Sequence, residues 1–234
     1  MKKALMLATV CVALGVASAP SSAQSAKPAG RFEMRDQSSR GLRQAAEQGL
    51  RKLVFDFGRD VPASGKLASD FPISVSNYGE LRQVTLGAGF EVHTIDPAQL
   101  LYAGKQSDLS RMTRSTGLWR FFVLSKGQPV ALMDMEQVNG RWAVRGVGAS
   151  GLARDIQAKA QANAQSGSFK FVRIYQAGTD LMEVRGAGNS ARFVTMMSAG
   201  GSSARAKSAA GVQATTQDLL PSLQLAVRRG LAHR

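Results

Sequence analysis

Residues 118–148, LWRFFVLSKGQPVALMDMEQVNGRWAVRGVG, hold the densest structural signal in this 234-residue chain. Trp119 to Leu124 is rich in aromatic and β-branched residues, Lys126-Gly127-Gln128 supplies a turn, and Val130 to Val138 runs back. Asn139-Gly140 turns the chain again before a third run from Arg141 to Val147. An Asn-Gly pair between alternating runs predicts a two-residue type I′ hairpin, because both central residues of that turn need φ > 0. With Val138 facing Arg141, the register puts Met133, Met135, Gln137, Trp142 and Val144 on one side. Asp134, Glu136, Arg141 and Arg145 fall on the other, with Asp134 opposite Arg145. An apolar face backed by a charge-paired face is the pattern of an antiparallel sheet wet on one side. A slip of one residue would bury both carboxylates.

Working toward the C-terminus, Ser150 reads as an N-cap for a helix over residues 151–164, with Leu152, Ile156 and Ala160 on one stripe. Three short strands follow at 169–175, 181–185 and 192–197, separated by Gly-containing turns. Residues 198–214 form a Gly/Ser/Ala linker, and 215–234 read as a C-terminal helix capped by Asp218. Leu223, Leu225 and Val227 also alternate as a strand would, so 219–229 remains open between the two.

Working toward the N-terminus, residues 103–117 read as a polar loop that could divide two sub-units. Asp96-Pro97 opens a short helix to Tyr102, and strands are expected at Ile73–Val75, Leu81–Leu86 and Phe90–Ile95. A first helix runs from Asp36 or Ser38 to about Val54, with Leu42, Ala46, Leu50 and Leu53 at helical spacing. Gly49 either weakens that helix or lets it approach a sheet closely. Residues 24–35 read as a disordered lead-in to a domain spanning 36–197. The fold class is therefore α+β: a curved antiparallel sheet of short meanders with helices packed on one face. Its architecture is similar, by analogy alone, to cystatin-like or NTF2-like sheets.

Residues 1–23 have the layout of an export signal: Lys2 and Lys3, an apolar run from Ala4 to Val16, and small residues before Ala19 or Ala23. The expected destination is the periplasm or the medium. Removing this leader leaves 211 of 234 residues and lowers the formal net charge from +14 to +12. Cys11 is the sole cysteine and lies within the leader, so thiol nucleophiles and zinc thiolate sites are excluded from the remainder. Only His93 and His233 are present, which disfavours a transition-metal site. The positive charge favours polyanions or acidic proteins. Aromatics at 6% leave no base-stacking platform, so nucleic acid is disfavoured.

Motifs for catalysis are sparse. Gly146-x-Gly148-x-x-Gly151 matches a dinucleotide fingerprint in letters, yet it follows a meander strand and lacks the downstream acidic residue. Gly148, Ser150 and Gly151 read instead as a candidate anion site at a helix start, and no cofactor is called for. Ser150 lacks the second glycine of a nucleophile elbow because Leu152 stands there. The leading expectation is an exported, basic, non-catalytic binding protein whose partner is an acidic protein or an anionic envelope component. Its candidate binding face is Arg141, Arg145, Asp134 and Glu136. The alternatives are a secreted hydrolase using Ser150 or the Asp134/Glu136 carboxylates, and a peptidase inhibitor or pro-region-like module.

Overall fold

The computed structural model describes residues 31–32, 39–59, 62, 64–186, 190–196 and 213–232. The expected leader (1–23), the caps Asp36 and Ser38, Met197, nearly all of the 198–214 linker and His233 lie outside the described residues.

In chain order the elements are β1 (Arg31–Phe32), α1 (Ser39–Gly58), α2 (Tyr78–Leu81) and β2 (Thr85–Ile95). Then come α3 (Pro97–Leu101), α4 (Leu109–Met112), β3 (Thr113–Ser125), β4 (Gln128–Val138) and β5 (Arg141–Gly148). The chain continues with α5 (Ser150–Ala162), β6 (Ser168–Ile174), a 3-10 turn (Tyr175–Ala177), β7 (Thr179–Arg185), β8 (Ala191–Thr195) and α6 (Thr216–Ala232). The α+β class holds.

One open sheet runs in the order β5-β4-β3-β2-β6-β7-β8, with β1 also pairing beside β6. It consists of two antiparallel meanders, β2–β5 and β6–β8. They meet where β2 and β6 lie parallel, with Val92 against Phe171 and His93 against Val172. The sheet is therefore mixed rather than wholly antiparallel. The cause is the α5 crossover, which returns the chain to the far side of β2 instead of beside β5.

The Asn139-Gly140 corner forms as the sequence predicts, with φ of 51° and 76° and Val138 opposite Arg141. Lys126 (φ 50°) and Gly127 (φ 77°) make a second left-handed corner of the same length. The expected register holds to Met135↔Val144, after which a β-bulge shifts it by one residue. Asp134 lies opposite Gly146, not Arg145. Arg145 is the extra residue, a two-against-one arrangement that a glycine inside a strand commonly marks.

Helices cover both faces, which corrects the expectation of one. On the first face, Leu152, Ala153 and Ile156 of α5 cover Phe90, Phe122, Leu132, Phe169 and Val184. On the opposite face, Leu42, Ala46 and Leu50 of α1 cover Trp119, Phe121, Met133 and Met135. Beside them, Leu220, Leu223 and Val227 of α6 cover Val172, Ile174, Leu181 and Phe193. The reason is visible in Phe121-Phe122-Val123-Leu124, whose side chains are apolar on both parities, as in a strand covered on both sides. Trp142 and Val144 are half-buried against the α1 layer, on the side assigned to them.

Other local differences have local causes. Ile73 is buried without forming a strand, held where the Ser74 N–H donates to the Val130 carbonyl (2.9 Å). Of the expected strand at 81–86, Thr85 and Leu86 open β2, which runs on to Ile95, while Leu81 ends α2, where Asn77 caps the Glu80 N–H (2.8 Å) and Glu80 accepts from the Ser76 N–H (2.9 Å). The loop at 103–117 contains α4, capped by Asp108, and the start of β3. Ser150 is the first helical residue rather than the cap; Ala149 precedes it in the left-handed region (φ 55°) with no side-chain cap bond. In α6, Thr215 and Asp218 cap each other's backbone N–H groups (3.3 and 2.8 Å), so Thr215 takes the cap position expected for Asp218. The segment 219–229 is helical.

Candidate functional site

On the expected binding face, Asp134, Glu136 and Arg145 are paired, and Arg141 is exposed with no carboxylate within ion-pair distance among the described residues. Asp134 accepts from both Nε and Nη2 of Arg120 (2.8 and 3.2 Å), a bidentate pair with both carboxylate oxygens engaged. Glu136 is taken by Arg145 (3.4 Å) in an exposed pair, leaving Arg141 exposed at the hairpin corner. Gly148, Ser150 and Gly151 sit at the start of α5. His93 lies across the sheet from α5, beside Glu91 and Lys170, so the sheet stands between Ser150 and that imidazole.

Two charge clusters occupy the sheet. On the α5 face, Arg120 and Arg173 alternate with Asp134 and Asp180, and Arg173 reaches Asp180 at 3.4 Å. Burial pushes the Asp180 carboxyl above its ordinary range despite the attraction of Arg173 and Arg120. Asp180 Oδ1 and Arg120 Nη1 are buried without a hydrogen-bond partner. On the opposite face, on β7 and paired across to Lys170 of β6, Glu183 is 0% exposed. It accepts from Ser110 Oγ (2.7 Å) and Arg185 Nε (2.6 Å) and lies 3.3 Å from Lys170 Nζ. Burial holds the nearby His93 imidazole below its ordinary pKa, with Lys170 adding to that and Glu91 opposing it. Glu91 in turn accepts from Ser115 Oγ. Both clusters are largely self-neutralised, as structural ion-pair networks are.

Three arginines without an ion-pair partner among the described residues are grouped along α1. A groove of about 610 Å³ runs between α1 and the stretch from Arg82 to Leu86. Its walls include the apolar side chains Leu50, Val54, Val84 and Leu86, and Phe55 stands at its edge 65% exposed. Arg51, Arg59 and Arg82 also line it. Glu47 is the one carboxylate among the lining residues, and Arg43 occupies it (3.1 Å) while donating to the Leu86 and Gly87 carbonyls. Arg51, Arg59 and Arg82 have no carboxylate within ion-pair distance among the described residues. The carboxyl end of α1 contributes only about half a negative charge. Three guanidinium groups outweigh it.

A second groove of about 540 Å³ lies on the other flank of α1, against Trp142, Ala143 and Val144 of β5. Its charges, Lys52 and Asp56, pair with each other at 2.5 Å. The two flanks of one helix thus differ in sign: one basic, one balanced. Sequence reasoning missed the basic flank, although a signal was present. Arg51, Phe55 and Arg59 recur every four residues, which stacks them on one helical face once α1 is extended to Gly58.

Among the described residues, no group of three His, Cys, Asp or Glu side chains is placed to hold a metal ion. No helix among them is long and apolar enough to cross a membrane. Compared with protein-family models, with curated proteins and with solved structures, the chain matches none at a significant level.

Proposed function

We propose that the protein is an exported, non-catalytic binding protein that takes an anionic partner at the groove between α1 and β2. The observation that carries this reading is the set Arg51, Arg59 and Arg82, three cations without carboxylate partners among the described residues, around a concavity with apolar walls. Its volume lies within the range of about 300–1,000 Å³ usual for ligand sites. The excess of 30 basic over 16 acidic residues adds long-range attraction for the same class of partner. Export rests on the layout of residues 1–23.

The test is binding of the purified protein to phosphatidylglycerol vesicles at two ionic strengths, about 0.01 M and about 1 M, between which the screening length falls from about 30 Å to about 3 Å. Binding is expected to weaken steeply at high salt and to be lost in the triple variant Arg51→Glu/Arg59→Glu/Arg82→Glu. Arg141→Glu/Arg145→Glu is expected to retain it. The opposite ranking would move the site to the β5 edge. Salt-independent binding would remove the electrostatic basis altogether.

A further inference from the structure

We infer that the α1–β2 groove accommodates a single-chain anionic amphiphile, a fatty-acyl carboxylate, with its head at Arg59 and Arg82 and its hydrocarbon along Val54 and Leu50. This rests on the reading above and specifies its ligand. Geometry along the helix is the first argument. Arg51 and Arg59 are eight residues apart, which separates their Cα positions by about 12 Å along the helix axis. A compact anion therefore cannot use both ends of the groove at once, whereas an elongated one can occupy the whole length.

Chemistry is the second argument. A β-carbon built on Gly58 would lie 4.0 Å from Arg82 Nε, so Arg82 reaches across to the α1 terminus where Arg59 follows. That end concentrates two guanidinium groups, whose planar forks suit a carboxylate. Away from it the walls become Val54, Leu50, Val84 and Leu86, which offer a hydrocarbon chain contacts and a polyanion nothing. Arg51, toward the other end, lays its methylene stem beside such a chain while its charge stays in water. Phe55, largely exposed at the edge, loses its contact with water when the chain is seated.

Isothermal titration of the full protein with octanoate, decanoate and dodecanoate below micellar concentrations tests this directly. Saturable one-to-one binding is expected, tightening by up to about fourfold per added methylene until the groove is filled. Dodecanol, which lacks the charge, is expected to bind at least tenfold more weakly. Arg59→Glu/Arg82→Glu and Val54→Asp should each weaken dodecanoate at least tenfold. Should Val54→Asp fail to fold, Phe55→Ser at the exposed edge supplies the apolar variant. If phosphatidylglycerol vesicles bind through the three arginines and dodecanoate does not, the acyl ligand is wrong while the anion-binding reading stands. If affinity is indifferent to chain length, the ligand is a bare anion and the inference is overturned. If neither probe binds, both readings fall together.

Discussion

Helices α1 and α6 cover the same face of the same sheet and do opposite things with their flanks. The α6 helix is sealed down. Gln224 Nε2 donates to the carbonyls of Leu100 and Ala103 (3.1 and 2.9 Å), and a β-carbon on Gly230 would sit 1.8 Å from the Gln176 carbonyl oxygen. The α1 helix buries Leu42, Ala46 and Leu50 but leaves an open groove along each side. It approaches the sheet closely at Gly49, where a β-carbon would meet Val144 Cγ2 at 2.4 Å. A backbone oxygen cannot move aside. A side chain on an edge strand can. Close packing against backbone makes α6 a structural closure, and looser packing against side chains leaves α1 with surface to spare for a ligand.

The largest effect is expected at the buried carboxylate of β7, on the face that the two helices share. Glu183→Ala would remove the buried carboxylate that accepts from Ser110 and Arg185 and pairs with Lys170, and urea unfolding should report a loss of about 3–5 kcal/mol. A loss below about 1 kcal/mol would mean that charge pairing contributes little to holding this buried cluster together. Next, Gly230→Ala is expected to destabilise by about 1–3 kcal/mol, more than the helix-propensity gain returns. Gly49→Ala, opposed by a side chain that can rotate, should shift stability by less than about 1 kcal/mol in the same assay. If the two glycine variants rank the other way, the contrast between α1 and α6 is wrong.

A smaller, pH-dependent effect is expected from His93. Burial lowers its pKa in the folded state below the ordinary 6.5, so between those two values the unfolded chain binds more protons. Stability should therefore be fully present above pH 6.5 and decline as pH falls through the folded-state value. His93→Gln should flatten that part of the stability curve, and an unchanged slope would place its origin elsewhere. Smallest of all, Arg51→Glu should leave stability within about 0.5 kcal/mol of the parent, because its side chain is exposed and forms no ion pair. Anion binding, by contrast, should fall.

Much of the fold was legible in local chemistry. The Asn139-Gly140 corner, the Asp96 cap, the α1 stripe and the helical α6 are each specified by neighbours within about one turn. Errors came where a distant partner intervened. The hairpin register puts Asp134 opposite Arg145, whereas the bulge leaves Gly146 there and Arg120, directly opposite on β3, takes the carboxylate. Leu81, which reads as the start of a strand, ends α2 instead, because Asn77 and Glu80 cap one another's turn. The groove along α1 was less legible than the fold. Asp134 and Glu136 attract attention as charges on a strand, yet both are occupied by arginines. Arg51, Arg59 and Arg82 look like ordinary solvated residues in sequence, because a missing counter-charge shows only in three dimensions.

Turn residues, capping side chains and hydrophobic spacing act over a few residues, so composition and order were sufficient to establish an α+β chain with strong net positive charge. Three outcomes needed the assembled molecule: the parallel join of β2 to β6, helices on both sides of the sheet, and a basic groove along one flank of α1. Each depends on which remote surfaces meet after α5 carries the chain across the sheet. Burial and charge balance are properties of that meeting rather than of any one segment.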